Sequence, residues 1–529
     1  MDGVADTTLV DTLLRQARQR PRQAAIRHGT RVLDFAGLEA ASARLARALQ
    51  ALGVGRGDRV ACLSQHHVEC LLLTLAACRL GAVCLPVNWR LARDELRYIL
   101  DHGQAVFLLV DETFVPLIDL PALPRLRAVV CTERAAAGLP ALESWMAPWP
   151  ASLEPVALQG DDDALQLYSS GTTGRPKGVV LTHRGLLSTC LTVAGDWGFG
   201  PGDVNGNPLP TFHVAGMTML LLTLWAGGQT VAFSTFEPAE FIEAVAGEGI
   251  THAFLVPAML LFMLQQPGCE QADYRSLRLV AYGGSPISET LLRRSMQAFG
   301  CDFLQVYGMT EVSGPISFLM PEDHRRALAD PALAAPLRSA GRAAGGARVR
   351  IVEPLGTREL PEGEVGEIWV ESVRNFKGYW RDAPATQQAY PLGRSPDGGW
   401  MRTGDAGYLR DGLLYIHDRI KDMIISGGEN IYPAEVENVL VAHPAVADCA
   451  VIGVPDEVWG ESVKACVVLR PGARASADEL IAFMRERLAR YKCPRSVDFH
   501  DELPRNPSGK LLKRLLREPY WQGRSRAVN

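Results

Sequence analysis

The chain has 529 residues, 47% of them hydrophobic and 21% charged, with a net charge of −5 and 11 cysteines. Its length calls for two or more domains with cores of their own. A near-neutral balance without long charge runs excludes a dedicated nucleic-acid surface, so any anion site must be local. Scattered cysteines, with no CxxC pair and no Cys/His ligand spacing, exclude a thiolate metal framework and point to reduced thiols in a cytosol.

The opening MDGVADTTLVDTLLRQARQRP is acidic and then reads as an amphipathic helix, unlike a signal peptide. A helical pattern over 37–53 has its natural stop at Gly53. Short β-branched runs follow: RVACLS (59–64), AVCLPV (82–87), AVFLLV (105–110) and AVVCT (128–132). Their alternation with helical patterns predicts parallel sheets with crossover helices.

The next segment, LYSSGTTGRPKGVVLTH (167–183), looks built to hold phosphate. A Walker A loop needs glycine before the lysine, Ser/Thr after it and then a helix. Here Pro176 precedes Lys177, Gly178 follows, and GVVLTH reads as a strand, so the segment is strand–loop–strand. Ser169, Ser170, Thr172, Thr173 and Lys177, set among Gly171, Gly174 and Gly178, supply hydroxyl and ammonium donors on a backbone that can converge on an anion. A plain Ser/Thr/Gly surface turn is the competing reading.

From His213 to Phe236, 24 residues carry no Asp, Glu, Lys or Arg, long enough to span a bilayer. Gly227, Gly228 and Gln229 interrupt the run and QTVAFSTF reads as a strand, so a buried helix followed by a core strand is expected. QVYGMTE (305–311) closes an apolar strand, and MRTGDAGYL (401–409) is read as placing Asp405 in a tight turn. From about residue 340 short strands between Gly/Pro turns suggest a small antiparallel unit. After DRIKD (418–422) about 110 residues have their own βα alternation. The boundary is placed near Lys421, giving domains 1–420 and 421–529.

Each motif is weak alone. In this order and spacing, YSSGTTGRPKG, QVYGMTE, MRTGDAGYL, GGENIYPAEVE and LPRNPSGKLLKR make nearly the whole chain resemble the adenylate-forming enzymes, and within them the free-standing acyl- and aryl-CoA synthetases. The resemblance implies an α/β fold with a large N-terminal domain of two α/β subdomains plus a small β-barrel. A small, mobile α+β C-terminal domain follows. It implies ATP, Mg²⁺ and coenzyme A as cofactors, and an ATP-dependent ligase that forms acyl-AMP from an apolar fatty or aromatic acid and then a thioester. The alternative is a ligase loading a carrier-protein phosphopantetheine; a non-catalytic adenylate-binding protein ranks third, since it would be expected to have lost Lys177, Glu311, Asp405 or Lys510. Partners are small molecules, with no nucleic acid or membrane span and with a homodimer possible; the expected location is the cytoplasm.

The same resemblance assigns roles. Ser169, Ser170, Gly171, Thr172, Thr173 and Lys177 hold the β- and γ-phosphates, and Glu311 with Thr173 holds the metal. Gln305, Tyr307 and Thr310 contact the nucleotide. Asp405 accepts from the ribose hydroxyls with Arg419 beside it. Lys510 reaches the reacting carboxylate and α-phosphate, and Lys421 is the hinge. Gly427 and Gly428 let pantetheine approach the backbone. His213, in PLPTFHVAGM, stands beside the substrate carboxylate, and Gly284 and Ser285, in AYGGSPIS, line the adenine and acyl sites. No basic residue in these last two segments awaits a second carboxylate, which favours an apolar monocarboxylic acid.

Overall fold

The computed structural model describes residues 6–169, 176–285, 287–330, 334–395, 398–427, 429–505 and 511–522. Ser170, Gly171, Thr172, Thr173, Gly428 and Lys510 lie outside the described residues. The chain divides into two compact units, one of Met1–Arg348 with Val370–Met401 and one of Val349–Trp369 with Arg402–Asn529.

The first unit carries two sheets. In spatial order the larger runs Arg342–Ala343, Gly314–Leu319, Asp302–Met309, Leu279–Gly283, His252–Leu255, Val204–Asn207, Gln229–Ala232, Ala24–His28 and Arg31–Asp34. Its six inner strands are parallel and antiparallel strands close both edges. The smaller runs Gly378–Tyr379, Lys177–Thr182, Asp163–Ser169, Val83–Pro86, Arg59–Leu63, Ala105–Val110 and Ala128–Cys131. The last five of these are parallel and the first two antiparallel. Ala105–Val110 is buried at every position, as a continuous apolar run in a parallel sheet should be.

Local chemistry sets the helices between them. Thr8 and Asp11 form a capping box for Leu9–Gln19. Asp34 caps Phe35–Ala51 by accepting from the Gly37 N–H at 2.7 Å, so this helix starts two residues before the expected 37. The uncharged run resolves into the helix Val214–Ala226 and the strand Gln229–Ala232. Among the described residues no helix is long and apolar enough to cross a membrane. All eleven cysteines are free thiols.

The second unit contains most of a four-stranded sheet, ordered Arg348–Val352, Gly366–Glu371, Trp400–Arg410 and Leu413–Arg419. Here one expectation is corrected. Asp405 is not in a tight turn: it lies inside the strand Trp400–Arg410, directly opposite Arg419. The pairing shifts register between Ala406 and Gly407, the mark of a bulge. A second sheet orders Glu429–Ile431, Ile424–Ser426, Gly460–Leu469 and Val446–Asp456, with Ser496–Phe499 parallel to Gly460–Leu469. The helices Pro433–Val441 and Ala477–Arg485 pack on it through Val436, Leu440, Leu480 and Met484.

Candidate active site

Three motifs of the first unit sit at the C-terminal ends of parallel strands, where α/β sheets gather their ligands. Ser169 ends Asp163–Ser169, Gly284 and Ser285 follow Leu279–Gly283, and Thr310 and Glu311 follow Asp302–Met309. The strands on either side of the phosphate-loop segment pair antiparallel, with Ser169 opposite Lys177. Its ends therefore deliver a hydroxyl and an ammonium to one place.

Glu311 is 8% exposed in the short turn Thr310–Val312. A buried carboxylate costs several kcal/mol unless donors meet it. Two do: the Ser169 hydroxyl donates to Oε1 at 3.2 Å and the Tyr379 hydroxyl donates to the same Oε1 at 3.1 Å. The Phe376 N–H donates to the Glu311 carbonyl at 2.7 Å, tying the turn to the segment that carries Tyr379. The Lys177 Nζ lies 4.9 Å from the centroid of the Tyr379 ring. Burial, and then Glu311 beside it, push the Tyr379 phenol far above its usual range, so it stays a donor.

Gln305 and Tyr307 are half-buried on Asp302–Met309. The Gln305 side-chain oxygen is buried with no hydrogen-bond partner among the described residues. Tyr282 pairs with Gln305 and Gly283 with Val306, which brings the exposed Gly284 and Ser285 alongside.

His213 is the N-cap residue of Val214–Ala226. Gly216 makes this start possible, since a Cβ there would lie 2.2 Å from the Pro210 carbonyl oxygen. The imidazole is open to solvent yet recessed among protein groups, and desolvation, then the charge of Arg90, push it down to about 4. The Phe212 ring packs against it, tilted by 57°, at 4.5 Å between centroids. No described hydrogen bond joins His213 to the Glu311 corner.

In the second unit Asp405 is 5% exposed and pairs with Arg419, Oδ1 to Nε, at 2.7 Å. Lys421 is partly buried, which pulls its ammonium below the usual lysine range, while its carbonyl accepts from the Arg517 guanidinium at 3.2 Å. Arg517 also pairs with Asp422 at 2.9 Å. Gly427 has φ +60° and donates its N–H to the Trp459 carbonyl at 2.8 Å. A Cβ there would stand 2.6 Å from the Trp459 indole, so glycine is needed for that packing alone.

Sequence reasoning missed Tyr379, Arg90 and Trp459. Tyr379 is 68 residues from Glu311 and gave no local signal. Arg90, stacked 4.4 Å from the Trp89 ring, belongs to a segment that suggested no pocket. Its charge adds to the lowering at His213.

The described residues contain no cluster of three or more His, Cys, Asp or Glu that could hold a metal. A lone carboxylate such as Glu311 fits Mg²⁺, which is commonly held by one or two carboxylates together with waters and substrate phosphates.

A family model described as AMP-binding enzyme matches residues 13–380, and one described as AMP-binding enzyme C-terminal domain matches residues 435–510. A fatty acid–[acyl-carrier-protein] ligase of Streptomyces coeruleorubidus is 38% identical over 99% of this chain and 98% of its own. A long-chain-fatty-acid–CoA ligase of Mycobacterium tuberculosis is 37% identical over 96% and 98%. The solved o-succinylbenzoate CoA synthetase of Bacillus subtilis, in complex with its acyl-adenylate intermediate, superposes with a TM-score of 0.82 at 32% identity, covering 97% and 98% of the two chains.

Proposed function

The chain belongs to the AMP-binding enzymes and is an acid–thiol ligase, and on that premise we propose how its residues divide the work. A carboxylate resists a thiol because it is anionic and would have to expel oxide. Attack by the acid on the α-phosphate of ATP releases pyrophosphate and gives acyl-AMP, whose leaving group a thiol can displace. The first step concentrates charge on phosphate, so it needs alignment and charge stabilisation more than covalent help.

Ser169 to Thr173 and Lys177 hold the β- and γ-phosphates, while Gln305, Tyr307 and Thr310, with Gly284 and Ser285, hold the nucleotide. Asp405, oriented by Arg419, accepts from the ribose hydroxyls. Glu311, with Thr173, faces a divalent cation; when bound, Mg²⁺ would neutralise phosphate charge there. His213, neutral at working pH, orients the acid. Lys510 serves the first half-reaction, Gly427 and Gly428 the thiol of the second, with the domain boundary and hinge at Lys421. Eleven unpaired thiols fit a reducing cytoplasm.

The observation that carries this reading is the buried Glu311 carboxylate, held by two neutral hydroxyls, with the Lys177 ammonium over the same tyrosine ring. CoA is the thiol we favour, with a fatty or aromatic acid. The carrier-protein ligase among the relatives keeps a phosphopantetheine carrier as the second reading. A panel of fatty and aromatic acids with ATP and Mg²⁺, followed for pyrophosphate and thioester separately with CoA or a holo-carrier protein, tests both. Pyrophosphate release with no acid in the panel would refute the reading.

A further inference from the structure

We propose that Tyr379 is a positioning residue that decides which oxygen of Glu311 meets the divalent cation of the nucleotide. The proposal rests on the reading of Glu311 given above. An ionised carboxylate oxygen offers two in-plane lone-pair sites. On Oε1 both are spoken for, by the Ser169 hydroxyl at 3.2 Å and the Tyr379 hydroxyl at 3.1 Å. Among the described residues no hydrogen bond reaches Oε2. The arrangement occupies Oε1 and leaves Oε2, so a cation would meet the carboxylate through Oε2.

Tyr379 suits this task because its own position is fixed from several sides. It lies on Gly378–Tyr379, paired with Val179 of the strand that Lys177 begins. Its N–H donates to Thr386 Oγ1 at 2.9 Å, and its ring meets Phe376 edge-to-face at 4.8 Å. The two ends of the side chain then do separate things. The hydroxyl turns Glu311, and the ring face carries Lys177. Partners behind a metal ligand typically set affinity by 10- to 100-fold.

The test is calorimetric binding of a non-hydrolysable ATP analogue to the full-length protein, with Mg²⁺ and with EDTA. The readout is the ratio of the two dissociation constants, which needs no turnover. Tyr379→Phe should cut the Mg²⁺-dependent gain in affinity by about 10- to 100-fold and leave binding in EDTA unchanged. Tyr379→Leu should cut the same gain and also weaken binding in EDTA, because Lys177 loses its ring. Glu311→Gln should abolish most of the gain. If Glu311→Gln removes the gain and Tyr379→Phe does not, the positioning role is wrong and the Glu311 reading stands. A gain that survives Glu311→Gln overturns both. Equal losses with Mg²⁺ and EDTA in Tyr379→Phe would mean a merely structural tyrosine, and would also overturn the proposal.

Discussion

The Glu311 and Asp405 corners both bury a carboxylate, but they hold it with opposite kinds of partner. Glu311 is met by two neutral hydroxyls, from residues 142 and 68 positions away. Asp405 is met by a guanidinium from the facing strand of its own hairpin. Hydroxyl donors orient a carboxylate and leave its charge to be used, which suits a cation. A guanidinium neutralises the charge and leaves an oriented acceptor, which suits the neutral hydroxyls of a ribose. The chemistry of the partner, more than the burial of the acid, tells the two sites apart.

The largest expected effect lies at a residue belonging to neither corner. Lys510→Ala should slow acyl-AMP formation by about 10²- to 10³-fold, as for one lost electrostatic stabiliser. Given ready-made acyl-AMP, the variant should still acylate CoA at near wild-type rate, since that step needs only an aligned thiol and a good leaving group. Equal loss of both half-reactions at unchanged melting temperature would show that the two steps share one arrangement.

The corners themselves are compared by Lys177→Ala and Asp405→Ala. In the proposed roles each would remove a charge-assisted contact of about 1.5–3 kcal/mol, so ATP binding should weaken by about 10- to 150-fold. The distinction is in what each variant loses. Lys177→Ala should lose affinity for ATP but little for AMP, which lacks the outer phosphates. Asp405→Ala should lose affinity for both, and for 2′-deoxy nucleotides less than for ribonucleotides. Identical AMP affinities in the two variants would erase the contrast.

A smaller effect is expected at Gly427, where φ is +60° and the Trp459 ring occupies the place of a side chain. Gly427→Ala should destabilise the protein by about 1–2 kcal/mol in denaturant unfolding, the usual cost of a left-handed residue with a Cβ. An unchanged midpoint would mean that neither the φ at this position nor the Trp459 packing demands glycine.

The smallest effect concerns pH. His213 is pushed down to about 4. A histidine whose folded value lies below its free value of about 6.5 stays neutral until the pH falls near the lower number. Between pH 8 and 5.5, His213→Gln should therefore alter the adenylation rate by a constant factor, leaving the shape of the profile as in wild type. A wild-type acid limb near 6.5 that disappears in His213→Gln would show that the imidazole titrates in the free range.

The sequence made legible whatever depends on neighbours in the chain. Ala105–Val110 is an unbroken apolar run and is a buried strand. GVVLTH after Lys177 reads as a strand, and Lys177–Thr182 is a strand, antiparallel to Asp163–Ser169. Asp405 marks the limit: MRTGDAGYL reads as a turn, and only pairing with the facing strand shows a strand with a bulge.

Composition and periodicity by themselves determined the alternating α/β character and the buried fate of the uncharged run 213–236. Motif order determined the family. Tertiary structure alone decided that Tyr379 and Ser169 share one oxygen of Glu311, that Arg90 stands beside His213, and that Trp459 covers Gly427. The reason is physical. Helix and strand propensity act over a few residues, so they leave a trace in local sequence. A hydrogen bond between residues 68 or 142 positions apart exists only once the strands carrying them have docked, and nothing in the flanking residues records it.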